Sequence, residues 1–301
     1  MREKGIKQPI LVLGEFPPRH IKEALINNLR LTVYTEKFAS EISEHSAKLG
    51  VVANIHVKVN TGLNRTGLSP GLALDFFTGL SQLKNIRLEG AYTHFSHAYL
   101  FGNPETRRQL QSFLHIIGEV KKRGLHIPLL HAANTPAALT LPESHLDLAR
   151  IGVGLVGLYP GEEFKKTVPL LFPLTWKSYI CFAHKVRAGE GVGYGGCYRA
   201  ERDIIIATLP VGTTDGMRKK FEGRAFVRVR GKLCKIIGVN MEMTIIDSGG
   251  LEPLEAGDEA LILGGENENF IHPEELGHWV GEDPEELLCQ LSYRIPRLYI
   301  T

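Results

Sequence analysis

Three observations predict an α/β chain. Short apolar runs alternate with helical patterns over about the first 150 residues. Polar residues gather just after those runs, where strands would end. Beyond about residue 170 the texture changes to short strands joined by Gly, Pro and charged turns. Together they predict a partial (β/α)8 barrel of the TIM type, about six of its eight units, over residues 1–170. An all-β domain follows over residues 171–301.

The elements justify this in order. Pro9–Gly14 is a continuous apolar run closed by glycine, the mark of a strand buried on both faces. Residues 17–28 follow as an amphipathic helix with its prolines at the start, where a missing N–H costs little. The next strands are expected at 29–34, 53–59, 86–93, 128–131 and 146–150, and the next helices at 36–49, 70–83, 105–123 and from Thr135. Beyond them, strands are expected at 176–187, 203–210, 225–229, 232–239, 243–247 and 259–263, with one helix over 283–290. Eight strands would close a barrel; the shortfall is two units, roughly 60 residues at ~30 per unit.

Composition narrows the function classes. A chain of 301 residues with 43% hydrophobic content can bury real cores. A net charge of +2, well mixed, gives no footprint for nucleic acid or a membrane surface. The four cysteines, Cys181, Cys197, Cys234 and Cys289, form no C-x-x-C and read as reduced thiols. No signal peptide and no bilayer-length apolar run is present, so a cytoplasmic protein is expected.

The chemistry-bearing residues fall in a few clusters. Arg150 precedes Gly152, Gly154 and Gly157, placing one fixed cation beside open backbone. That spacing fits G-x-G-x-x-G, as does Gly191/Gly193/Gly196, but neither window lies between a first strand and a helix, as a dinucleotide fold requires. Free amides at Gly152 and Val153 could still hold a phosphate, since barrel phosphate sites follow the last strands. His94 and His97 read as packed rings, as a ring stacked on a planar cofactor or, without acid or cysteine companions, as poor metal ligands. His131 begins His-Ala-Ala-Asn-Thr-Pro, in which Thr135 can cap the next helix. Lys58 and Arg65 are either a pair facing an anion or a solvated strand end. Tyr194, on Gly193-Tyr-Gly-Gly, is either a packing residue or a hydroxyl delivered into another site.

Taken together, these stretches resemble the alanine racemase family, whose fold-type III members use pyridoxal 5′-phosphate (PLP). The stretches that carry the likeness begin with His56-Val-Lys-Val-Asn-Thr-Gly-Leu-Asn-Arg-Thr-Gly-Leu68, Thr93-His-Phe-Ser96 and His131-Ala-Ala-Asn-Thr-Pro-Ala-Ala-Leu139. Ala149-Arg-Ile-Gly-Val-Gly-Leu-Val-Gly-Leu-Tyr-Pro160 and Val192-Gly-Tyr-Gly-Gly-Cys-Tyr-Arg-Ala-Glu201 follow. Leu209-Pro-Val-Gly-Thr-Thr-Asp-Gly216 and Leu291-Ser-Tyr-Arg-Ile-Pro-Arg297 complete the set, so the likeness runs the length of the chain.

The resemblance implies interconversion of L- and D-alanine, supplying D-alanine for peptidoglycan. It implies that Arg150 faces the pyridine nitrogen of PLP and, being a cation far above pH 7, withholds a full proton from it. It further implies that His131 supports Arg150, that His94 lies beside the cofactor ring, and that Asn134, Thr135, Gly152, Val153 and Tyr293 bind the cofactor, largely at its phosphate. Tyr194 matches a base presented from the opposite subunit of a homodimer, and Met241 a residue whose amide, also from the opposite subunit, meets the substrate carboxylate. Arg65 matches a contact to that carboxylate or to the cofactor's phenolic oxygen, and Lys58 a lysine often carbamylated.

The chain departs from the family pattern at Asn60, Thr213 and Glu242, where aspartate, tyrosine and aspartate are usual. The family's PLP lysine lies in a Lys-Ala-Asn-x-Tyr-Gly segment that these 301 residues do not contain. The sequence therefore reads as the large part of a racemase whose N-terminal segment comes from a separate polypeptide or is lost. The chain alone is expected to be inactive, and open sheet edges are expected to need a partner. Two rival readings remain: a non-catalytic paralogue that binds PLP or a partner racemase, and a racemase of serine or another amino acid.

Overall fold

The structure is a computed structural model and describes residues 1–300. It divides into two compact units. The first comprises Met1–Leu155 with Tyr159–Leu170, and the second Val156–Leu158 with the residues from Leu171 onward.

The first unit is an open parallel sheet with helices on one side. Its strands are β1 (Leu11–Val12), β2 (Arg30–Val33), β3 (Ala53–Lys58), β4 (Ile86–Tyr92) and β5 (Leu129–His131), hydrogen-bonded in sequence order. Between them run α1 (Ile21–Ile26), α2 (Glu36–Leu49), α3 (Pro70–Leu80) and α4 (Pro104–Lys122), and α5 (Thr135–Thr140) follows β5. Sequence signals mark the ends. Thr35 caps α2 by accepting from the Phe38 amide, Gly50 closes it in the left-handed region, and Asn103 caps α4 ahead of Pro104.

The two faces of the sheet differ chemically. Leu31, Val33, Ile55, Val57 and Ala91 pack with Phe38, Ile42, Phe77, Phe113 and Ile117 of the helices in one core. The alternate positions on the other face carry Thr32, His56, Lys58, Tyr92 and His131, all buried. Strand β4 changes phase to achieve this. Leu88 pairs with Ile55, but His56 pairs with Gly90, leaving Glu89 as the extra residue of a bulge.

The expected class holds, a partial parallel barrel followed by an all-β region. One unit is corrected. The run 146–150 forms no strand, because Leu146 turns into the left-handed region (φ 48°) and breaks the extended path. The Asp147 carboxylate and amide instead clamp Leu130, accepting from its N–H at 2.7 Å and donating to its carbonyl at 3.0 Å. Only Arg150 rejoins the sheet direction, as a single parallel bridge with Asn134.

The second unit is antiparallel. Its strands are β6 (Trp176–Tyr179), β7 (Phe182–Val186), β8 (Gly191–Val192), β9 (Tyr198–Arg199), β10 (Ile204–Leu209), β11 (Phe226–Val229), β12 (Lys232–Val239), β13 (Thr244–Asp247), β14 (Glu259–Glu266) and β15 (Asn269–Ile271). The main sheet runs β15-β14-β11-β12-β13-β10-β7, with β6 also on β14, while β8 and β9 form a separate pair. The single strand expected over 176–187 is thus two strands serving opposite ends of the sheet. They part at Ile180 and Cys181, whose amides donate to Asp258 and Thr208. Helix α7 (Pro284–Cys289) lies where a helix was expected. Strand β15 and helix α6 (Pro273–Val280) were not foreseen, although Pro273 at the start and Gly281 at the end are proper helix punctuation.

Candidate functional site

The polar face of the parallel sheet converges on Arg150. Its Nη1 lies 2.7 Å from His131 Nδ1, and its Nη2 donates to the carbonyls of Thr93 at 2.7 Å and Ala132 at 3.0 Å. The guanidinium also sits over the Tyr92 ring, 5.0 Å from its centroid. Burial draws the Arg150 pKa down to about 10, which leaves it charged at neutral pH. Its His131 partner is fully buried, and burial followed by the Arg150 charge pushes that ring down to about 2. His131 is therefore neutral, and its Nδ1 must be the acceptor, since a guanidinium has only donors.

Lys58, at the end of β3, is also buried and donates to Thr66 Oγ1 at 2.5 Å. Burial, then the charges of Arg65 and Arg150, lower its pKa. His94 is pushed down to about 4 by burial and by Arg150, Arg65 and Lys58. Its Nδ1 is 3.4 Å from Arg150 Nη2, too long for a strong bond. Among the described residues, no carboxylate pairs with Lys58, Arg65 or Arg150. Three cations and a neutral ring without a counter-charge make an anion seat.

The turn after Arg150 is held by Thr135. The expectation that Thr135 caps α5 is corrected: Asn134 takes the cap by accepting from the Ala137 amide at 3.3 Å. Freed from that task, Thr135 Oγ1 accepts from the amides of Gly152 at 3.0 Å and Gly154 at 3.4 Å. The Gly152 amide is therefore not free, as the glycine pattern alone suggested. At Gly154 a Cβ would meet Thr135 Cγ2 at 2.8 Å, so this approach requires glycine.

The first unit thus brings Lys58, Arg65, His94, His131, Asn134, Thr135, Arg150, Gly152 and Val153 into one neighbourhood at the strand ends. Tyr194, Met241 and Tyr293 belong to the second unit and are exposed, Tyr194 by 84%. The Met241 carbonyl accepts from the Thr214 amide and hydroxyl, both at 2.9 Å, and Arg297 lies over the Tyr293 ring. His97, the other histidine of the 94–97 pair, turns to Ser96 Oγ at 2.7 Å. Sequence reasoning missed Tyr92 and His56, which carry the rings against His131. Their alternation with Thr32 and Lys58 on neighbouring strands was the available signal.

Residues 1–160 match the family profile of the alanine racemase N-terminal domain, and residues 173–299 that of the alanine racemase C-terminal domain. Alanine racemase 1 of Caldanaerobacter subterraneus subsp. tengcongensis is 35% identical over 301 residues, covering 99% of this chain and 78% of its own length. The alanine racemase of Desulforamulus reducens is 36% identical, with 100% and 81% covered. Among solved structures, an alanine racemase of Clostridium difficile 630 superposes with a TM-score of 0.93 at 29% identity, over 99% of this chain and 78% of that one.

Proposed function

This chain belongs to the alanine racemase family, and on that premise we propose that it holds cofactor and substrate for the PLP-dependent interconversion of L- and D-alanine. The observation that carries the reading is the setting of Arg150: a guanidinium held by two carbonyls and a neutral histidine, with no carboxylate paired to it among the described residues. Such a group can donate a hydrogen bond to a ring nitrogen without surrendering its proton. The uncompensated charge of Arg65 suits the phenolic oxygen of the same cofactor, and the turn gathered on Thr135 suits its phosphate. The residues present therefore fit PLP in residues 1–170. When bound, PLP supplies the electron-withdrawing ring that acidifies the Cα proton of an amino acid.

The residues then divide the work. Arg150, positioned by His131, orients the ring nitrogen, and His94 lies beside the ring as a neutral imidazole. Asn134, Thr135, Gly152 and Val153 form the phosphate end, where a bound phosphate would take the Gly152 amide in place of its present contact to Thr135 Oγ1. Arg65 contacts the substrate carboxylate or the cofactor's phenolic oxygen, and the Met241 amide from the opposite subunit meets that carboxylate. Lys58, whose ammonium is made costlier by burial and by the charges of Arg65 and Arg150, would release protons to solvent as it adds carbon dioxide, and the resulting carbamate would be the anionic partner of Arg65. Tyr194 moves the proton on one face of Cα, reaching the site of the opposite subunit in a cytoplasmic homodimer. Its exposure in the single chain suits that task.

These 301 residues hold no Lys-Ala-Asn-x-Tyr-Gly segment, and the reading concerns the residues that would hold the cofactor without a covalent bond. No helix among the described residues is long and apolar enough to cross a membrane. The polypeptide that carries this chain, assayed with PLP, is expected to exchange the Cα hydrogen of alanine with solvent and to interconvert its enantiomers. Absence of exchange from both enantiomers would overturn the reading.

A further inference from the structure

Behind Arg150 the hydrogen bonds continue away from the site. His131 Nε2 lies 2.9 Å from His56 Nδ1, and His56 Nε2 lies 3.1 Å from Glu89 Oε2. Arg30 Nε donates to the same carboxylate oxygen at 3.2 Å. Both imidazoles are buried, and Gly90 stands opposite His56, where a Cβ would lie 2.4 Å from its Nδ1. Glu89, the extra residue of the bulge, is the only acid in the series.

We propose that His56 and Glu89 are positioning residues that hold His131 in a single tautomer, so that Arg150 acts as a hydrogen-bond donor to the cofactor ring and not as its acid. The direction follows from the chemistry of the two ends. Arg150 can only donate, so His131 accepts at Nδ1 and carries its proton on Nε2. That proton faces His56 Nδ1, so His56 in turn carries its own on Nε2. The Glu89 carboxylate can only accept, and it fixes this last proton. Every donor therefore points outward from Arg150 to Glu89, and Arg30 balances the terminal charge.

An outward chain cannot return a proton to Arg150 unless both rings change tautomer. Reversal would set a His131 Nδ1–H against an Arg150 N–H, donor facing donor. A guanidinium that cannot be resupplied stays a donor. The carboxylate's influence reaches Arg150 through two neutral rings, so no anion stands beside the cofactor. The consequence for the cofactor rests on the reading of Arg150 given above, whereas the tautomers are measurable in the chain by itself.

The test is long-range 1H–15N correlation of the imidazole nitrogens in the 15N-labelled full chain at pH 7. Both His56 and His131 are expected as neutral Nε2–H rings, and an Nδ1–H or doubly protonated form of either would overturn the proposal without any substitution. In Glu89→Gln the neutral amide can also donate, so the Nδ1–H share of both rings should rise about tenfold, equivalent to about 1.4 kcal/mol of charge-assisted bonding. Unchanged shares in folded Glu89→Gln would remove the role of the carboxylate. With PLP added, the absorbance of the bound cofactor should differ between wild type and Glu89→Gln. Failure of PLP to bind either protein would instead overturn the assignment of Arg150 while the tautomers stood.

Discussion

The ring of His131 lies on that of Tyr92, with centroids 4.6 Å apart and planes 12° from parallel. Tyr92 is itself anchored, its hydroxyl 3.1 Å from Thr32 Oγ1, and it also carries the Arg150 guanidinium on its ring. One aromatic side chain thus sets the plane of the histidine and the height of the arginine. Tyr92→Phe keeps the stack and loses the hydroxyl contact, so denaturant unfolding should show a loss of about 1 kcal/mol. Tyr92→Ala removes the platform and should cost about 3–5 kcal/mol. Equal losses in the two variants would mean that the ring itself contributes little.

Gly90 is where β4 passes closest to the histidines. A methyl group there would meet His56 Nδ1 at 2.4 Å and the Leu129 carbonyl at 2.8 Å. Gly90→Ala should therefore destabilise the first unit by roughly 1–3 kcal/mol, the usual cost of overpacking. It should also displace the His56 imidazole resonances in an NMR spectrum. A stable variant with unmoved resonances would contradict the packing described.

Stability should fall on the acid side of neutrality. Burial holds His56 and His131 below the ordinary histidine value of 6.5, His131 at about 2. As pH drops through 6.5 the unfolded chain takes up protons that the folded chain refuses. Stability is thus complete above pH 6.5 and is lost progressively below it. Each such ring contributes a slope of about 1.4 kcal/mol per pH unit. Urea midpoints measured between pH 7.5 and 5 should decline, and decline less steeply in His131→Phe.

Tyr194 is expected to separate function from folding. Its side chain is exposed, so Tyr194→Phe should change the unfolding free energy by no more than about 0.5 kcal/mol. In the active racemase the same change should abolish proton transfer on one face of Cα, measured as solvent deuterium entering alanine from each enantiomer separately. Equal, undiminished incorporation from both would remove the base from this position.

The elements of the first unit were legible because each obeys local rules. Thr35 and Gly50 bracket α2, Asn103 and Pro104 open α4, and apolar runs mark the buried strands. Arg150 and His131 stood out as polar residues at strand ends. What the sequence hid are features decided by partners distant along the chain. The run at 146–150 looked extended, yet the Asp147 carboxylate folds back on Leu130. Thr135 looked like a cap, but Asn134 reaches Ala137 first and leaves it for the glycine turn. The run 176–187 looked continuous because pattern alone does not show that its halves pair with different strands.

The extra residue in β4 gives one strand two masters. Before Glu89, Ile86 and Leu88 answer to the helix core; after it, Gly90 and Tyr92 answer to the buried polar face. With an unbroken alternation, Leu88, Gly90 and Tyr92 would share a side, and any change of core packing would press on the rings around Arg150. The phase change uncouples them. Substitutions at Ile86 or Leu88, on the helix side before the bulge, should leave the setting of Gly90 and Tyr92 unchanged. A variant library scanned along this strand should show tolerance that ends abruptly at Glu89.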